Sequence, residues 1–214
     1  MSLTRQDVLG AALVILDEYG LADLSMRRLG DVLGVRAGAL YHHVPNKQTL
    51  LAWVADGILA TVPHPAGPWR AGLAAWSEHL RSALLRHRDS ADLVASSRAM
   101  GLAAFDAAEP AAATLRSAGL SEPDAVAAAT TLLHFALGHV AEEQARLDWV
   151  RFGKPDGAEP SATPGTYAFG VGLILTGIGG TLAAGPQPCS ERATATEPIA
   201  GPASSLTTAK VIVT

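Results

Sequence analysis

Four cationic side chains, Arg27, Arg28, Arg36 and Lys47, fall between Ser25 and Gln48 with only Asp31 to oppose them, a local excess of three positive charges. The chain as a whole has a formal charge of −4. A polyanion responds to the charge on the docking face rather than to the net charge, so an acidic chain with one basic corner is compatible with a phosphate-rich partner. Among these cations stand Ala37, Gly38 and Ala39, too small to hold a backbone away from a surface. Tyr41, His42 and His43 follow, with hydroxyl and imidazole groups suited to phosphate oxygens. Lys47 would sit at a helix N-terminus, beside exposed N–H groups that favour an anion. This set suits double-stranded nucleic acid, and the same residues are equally consistent with helices packed for stability whose basic side chains are simply solvated.

Other chemistry is poorly supported. The sequence has no Gly-rich phosphate loop, no nucleophile elbow, and no Ser, His and Asp at a telling spacing, so an enzyme is the weaker reading. A purely structural adaptor would leave the slim Ala37–Ala39 stretch and the adjoining Tyr-His-His without a purpose. His139 and Glu143 are an i, i+4 pair, with His134 and Glu142 nearby, but no third metal ligand is evident; no metal or cofactor is expected. The single cysteine, Cys189, excludes an internal disulfide framework, and nothing around it suggests a lowered pKa.

The elements that must position these residues are helices. Val8, Ala12, Ile15, Leu16 and Tyr19 recur at helical spacing before Gly20. Ser25 is a good N-cap for a second helix with Met26, Leu29, Val32 and Leu33 inward, ended by Gly34. A third helix is predicted over Ala37–His43, with Leu40 and Val44 inward, and Pro45 breaks it. Asn46 caps a fourth helix carrying Leu50, Leu51, Val54 and Ile58. Helix, glycine turn and slim second helix form a helix-turn-helix, whose second helix enters the major groove.

The breaker-rich stretch Val62–Pro68 reads as a boundary between a DNA-binding domain, 1–62, and a second domain, 63–184. In the latter, Trp69, Leu73, Trp76, Leu80 and Leu84 mark a long helix, and shorter ones follow at Ala91–Met100 and Pro110–Ala118. Ser121 with Asp124 opens another, reaching about Trp149. Gly153–Gly165 reads as a mobile loop, Thr166–Ala183 as a last apolar helix, and 185–214 as a disordered tail. Trp69, Trp76 and Trp149 read equally as core or as cavity walls. The last helix is short for a bilayer, has four glycines and lacks basic anchors, so it is expected in a subunit interface rather than a membrane. With no basic-then-apolar leader at the start, a cytoplasmic location is expected.

The run Leu40-Tyr41-His42-His43-Val44-Pro45-Asn46-Lys47, after Met26-Arg27-Arg28-Leu29 and Leu33-Gly34-Val35, resembles the TetR family of repressors over residues 4–60. The resemblance implies an all-α homodimer with a three-helix DNA-binding domain and a larger ligand-binding and dimerisation domain. It also implies a palindromic operator, a guanine contact from Arg27, and release by a small-molecule effector. Ala83–Asp89 and His134-Phe135-Ala136-Leu137-Gly138, followed by Glu142, Glu143 and Gln144, are similar to the tetracycline-repressor subfamily. By that resemblance the effector site would comprise His64, Trp76, Leu80, Val94, Arg98, Met100, His134, Leu137 and Glu142. Val94 stands where the subfamily has a metal-chelating histidine, and Trp76 and Leu80 replace its pocket Asn and Phe. These departures argue against magnesium–tetracycline and for a mainly apolar or aromatic effector.

Overall fold

Thr4 starts the first helix by exchanging hydrogen bonds with Asp7: its hydroxyl accepts from the Asp7 N–H, and the Asp7 carboxylate accepts from the Thr4 N–H. This reciprocal cap satisfies two donors that a helix start leaves orphaned. The computed structural model describes residues 3–153 and 165–185, and these residues are organised by helices without a strand. The helices are α1 (Arg5–Tyr19), α2 (Met26–Leu33), α3 (Ala37–Leu40), α4 (Lys47–Leu59), α5 (Trp69–Leu85), α6 (Ser90–Ala99), α7 (Glu109–Ser117), α8 (Glu122–Phe152) and α9 (Thr166–Ala184). The interior of the expected Gly153–Gly165 loop, the tail expected beyond Gly185, and Cys189 lie outside the described residues.

The start signals at Ser25, Asn46 and Ser121 act as expected: each side chain accepts from the N–H three residues on. The third helix is shorter than expected. Regular α-helix stops at Leu40, because His42 and His43 donate three residues back to Ala39 and Leu40. Two inward assignments also change. Tyr19 and Val32 are each nearly half exposed, while Gly30 is buried on the inner face of α2.

One hydrophobic core runs through the molecule, from Ile15, Leu29 and Leu50 to Leu73, Leu93 and Leu132. Trp76 belongs to it, Trp69 packs against it, and Trp149 is exposed. Alpha5 through α7 surround α8, and α9 lies against α5 and α8. Gln144 of α8 reaches into the α5–α6 junction, donating to Leu84 O and His87 O and accepting from Ala91 N. One buried amide thereby satisfies both the end of α5 and the start of α6. By length and composition α8 and α9 would suffice to cross a membrane. Much of α9 stays uncovered, with Phe169 at 68% and Leu173 at 58% exposure.

Candidate nucleic-acid interface and C-terminal clefts

The turn between α2 and α3 is fixed by backbone chemistry. Gly34 takes a left-handed conformation (φ +66°), its N–H donates to Asp31 O, and the Val35 N–H donates to Gly30 O at 2.9 Å. This pair of bonds closes the helix and turns the chain sharply, and glycine adopts the required conformation without a Cβ penalty. Gly30 serves a different purpose. A Cβ there would lie 2.8 Å from Val35 O and 3.3 Å from Ala37 N, so only glycine lets α2 and the start of α3 approach this closely. A glycine inside a short amphipathic helix was the available sequence signal for that contact.

Arg27 projects from α2, exposed and without a hydrogen bond or ion pair among the described residues. Arg28 is engaged within the protein: its Nη2 donates to Asp23 Oδ1 at 2.8 Å and its guanidinium lies 4.1 Å from the Tyr19 ring centroid. Both arginines line one cleft with Tyr19, Asp23, Ser25 and Asp31. Arg36, Gly38, Ala39, Tyr41, His42 and His43 are exposed, and Ala37 is half-buried beside Gly30. Lys47 is half-buried at the first position of α4, directly after the Asn46 cap. The cations and polar groups predicted to bind DNA are therefore gathered on α2, α3 and the start of α4.

This unit is bound to the rest of the molecule at the turn between α5 and α6. The Asp17 carboxylate accepts from the Arg88 N–H at 3.2 Å and meets His87 Nδ1 at 3.1 Å. The Asp89 carboxylate accepts from the Leu21 N–H at 2.8 Å. Asp89 is the one non-glycine residue with positive φ (+52°) among those described, a backbone conformation that costs an ordinary side chain about 1–2 kcal/mol. Arg151, near the end of α8, donates to Asp17 O, and Arg86 donates to Thr61 Oγ1.

The residues expected to form the effector site divide into two sets. Trp76, Leu80, Val94 and Leu137 come together in the core, each 6% exposed or less, and none lines a described cleft. Ser97, one turn beyond Val94 on α6, is also buried, and its hydroxyl has no hydrogen-bond partner among the described residues. His64, Met100, His134 and Glu142 are exposed, and Arg98 is half-buried. His64 lines a cleft of about 480 Å³ with Pro65, Phe105, Asp106, Glu109 and Thr114. Arg98 reaches that wall by donating to Asp106 at 2.9 Å. Burial raises the Asp106 pKa, but bonds from Arg98 and the Ala108 N–H outweigh it and hold the carboxyl below its usual range. Phe105 and Asp106 carry no motif that would have marked them in the sequence.

The His139–Glu143 pair does not converge as metal ligands. Glu143 takes a two-point ion pair from Arg81, and His139 rests beside Phe135 and Tyr167, with ring centroids 5.8 and 5.2 Å away. No cluster of three metal-ligating side chains occurs among the described residues. Tyr167 is buried and donates to Ser77 O at 2.8 Å. Burial pushes its pKa up to about 12.

A braced helix-turn-helix at one end of an all-helical body defines a DNA-binding regulator. Comparison with known proteins gives the family. Residues 8–54 match the family described as bacterial regulatory proteins, tetR family, and residues 62–178 match the tetracyclin repressor-like C-terminal domain. The chain is 38% identical to the class A tetracycline repressor protein from transposon 1721 of Escherichia coli over 148 residues, covering 67% of this chain and 68% of that protein. Among solved structures it is similar to Mycobacterium smegmatis BioQ, with a TM-score of 0.75, 39% identity, and coverage of 84% of this chain and 99% of that one. It is also similar to BioQ crystallised with its natural double-stranded DNA operator, with a TM-score of 0.69, 37% identity, and coverage of 84% and 100%. The chain belongs to the TetR family, close to the tetracycline-repressor type, and is a DNA-binding transcriptional regulator rather than an enzyme.

Proposed function

We propose that this chain is a cytoplasmic repressor that binds a palindromic operator as a homodimer and is released by a small, mainly apolar or aromatic effector. The observation that carries the DNA reading is Arg27, exposed and unpartnered among the described residues, beside a recognition helix whose first residues are Ala37, Gly38 and Ala39. Arg27 reads a base edge, Tyr41, His43 and Lys47 hold phosphates, and Arg28 braces the supporting helix from within. Residues 1–62 act as the DNA-binding domain and residues 63–184 as the effector and dimerisation domain. The likeness to BioQ crystallised with its double-stranded DNA operator supports the DNA-binding part of this reading.

Two copies join through α8 and α9. Along α8 the exposed side chains Ala127, Thr131, His134, Gly138, Glu142 and Ala145 recur on one stripe, and α9 exposes Phe169 and Leu173. Small residues permit close helix approach, and apolar ones on this scale mark an interaction surface. The cleft at His64 is the effector's entrance; the Trp76, Leu80, Val94 and Leu137 cluster is closed core without the effector and becomes its inner wall only when the effector parts these helices, with the Ser97 hydroxyl as a polar contact. Apolar walls with a few convergent polar groups suit a small-molecule site. His134 and Glu142, exposed on α8, then serve the site of the second copy. The test is operator affinity of Arg27→Ala on a matched and a mismatched site. A bidentate arginine–guanine contact discriminates by about 1–3 kcal/mol, and equal loss on both sequences would remove the base-reading role.

A further inference from the structure

We propose that Arg36 reads a guanine of the operator, and that Arg36 and Arg27 together carry the hydrogen-bonded base discrimination of each half-site while α3 itself carries none. This deepens the reading of the chain as an operator-binding repressor and rests on it. Among the described residues every other arginine is engaged within the protein, by a carboxylate, a hydroxyl, a backbone carbonyl or an aromatic ring. Arg27 and Arg36 are exposed and have no such partner there. Both belong to the helix-turn-helix, one on each side of the turn at Gly34. Arg36 occupies the residue before α3, and its side chain makes no cap to that helix.

The backbone beneath Arg36 is held from both sides. Its neighbour Val35 donates to Gly30 O at 2.9 Å, and its own carbonyl accepts from the Ala39 N–H at 2.8 Å. The absent Cβ of Gly30 lets Val35 O and Ala37 N, the atoms that flank Arg36, lie close against α2. Arg27, at the second position of α2, stands on a helix start capped by Ser25. Two long side chains with uncommitted guanidinium groups thus rise from fixed main chain.

The composition of α3 leaves the polar reading to them. Ala37, Gly38 and Ala39 have no side-chain donor or acceptor, and Leu40 is buried. A methyl group can touch the methyl of thymine, but it cannot address the acceptor pair of guanine or the donor–acceptor pair of adenine. Alpha3 has neither the Asn nor the Gln whose amide matches adenine. The parallel N–H groups of a guanidinium do match guanine O6 and N7 in the major groove. The slim first turn of α3 lets the main chain sink into the groove, which brings the Arg36 fork to a base edge instead of a phosphate. Each half-site therefore holds one guanine for Arg36 and a second for Arg27.

The test uses the full-length chain and synthetic DNA. Wild type, R36A, R36K and R27A each select duplexes from a random-sequence pool, and the enriched motifs are compared. Wild type should enrich two guanine positions per half-site, R36A should lose one and R27A the other. R36K keeps the charge without the fork, so it should lose the same position as R36A. Replacing that guanine with adenine should weaken wild type about tenfold or more and R36A by about twofold or less. A 7-deazaguanine there removes only the N7 acceptor, should also weaken wild type, and needs no variant to fold. The salt slope of R36A should match that of wild type, because a base contact neutralises no phosphate. An R36A motif identical to that of wild type, or wild type indifferent to 7-deazaguanine, overturns the proposal while leaving the repressor reading intact. So does an even loss on all duplexes with the salt slope lower by about one unit, which would make Arg36 a phosphate contact. Failure of wild type to enrich any motif overturns the repressor reading and this proposal with it.

Discussion

Replacing Gly30 or Gly34 with alanine separates the geometry of the helix-turn-helix from its stability. At Gly34 an added Cβ meets nothing within 4 Å, so the penalty is conformational. A non-glycine residue in the left-handed region loses about 1–2 kcal/mol. At Gly30 the added Cβ lies 2.8 Å from Val35 O, and relief requires the backbone to open by about 0.5 Å to reach an ordinary carbon–oxygen contact. Overpacking of this kind costs about 1–3 kcal/mol. Alanine recovers about 1 kcal/mol of helix propensity at this interior position, leaving a net loss of about 0–2 kcal/mol. The two variants thus lose similar stability, but only Gly30→Ala moves α3 away from α2. In a dimer that displacement occurs at both half-sites. Urea unfolding should show comparable losses, whereas operator affinity should fall about tenfold or more for Gly30→Ala and by about threefold or less for Gly34→Ala. Equal loss of affinity in the two, or an unaffected Gly30→Ala, would refute the claim that close approach sets the recognition helix.

Lys47→Ala should weaken binding to all DNA similarly and reduce the salt slope by about one unit, as measured by titration at several salt concentrations. Leu173→Asp places a charge on the uncovered face of α9 and should convert a dimer to a monomer in sedimentation at micromolar concentration; wild type that already sediments as a monomer would remove the interface. Spectrophotometric titration should show one phenol ionising near pH 12, and it should be absent from Tyr167→Phe. Because folding raises this pKa above its ordinary value near 10, the stabilisation is complete below pH 10 and is lost as pH rises toward 12. Thermal melts of wild type and Tyr167→Phe should therefore converge over that interval.

The parts of the molecule legible in the sequence were those decided by neighbours along the chain. Ser25, Asn46 and Ser121 cap because each needs only an N–H three residues away, and Gly34 turns the chain because no other residue takes its conformation as cheaply. Facing was harder. Helical spacing selects a stripe, but the edges of that stripe depend on what packs there: Tyr19 is covered on one side by Arg28, and Val32 by nothing comparable. The pairing of Arg28 with Asp23, five residues back, matches no helical i, i+3 or i, i+4 spacing, and the bonds of Asp56 reach residues 48 and 49 positions away that no local pattern marks. The effector residues show the same limit. Resemblance named Trp76, Leu80, Val94 and Leu137 together with His64, Met100, His134 and Glu142, yet their division between interior and surface is set by the meeting of α5, α6 and α8.

The aspartates at the joint between the two parts of the molecule share a property with consequences for how such a regulator evolves. Asp17 grips the N–H of Arg88, Asp89 that of Leu21, and Asp56 those of Ala104 and Phe105. Each carboxylate reads the main chain, and every amino acid except proline offers the same N–H there. Substitutions at positions 21, 88, 104 and 105 thus leave the grip in place while changing what surrounds it. If the cleft at His64 takes an effector as proposed, its wall at positions 104 and 105 can change side chains while keeping this backbone tie to the part that carries the helix-turn-helix.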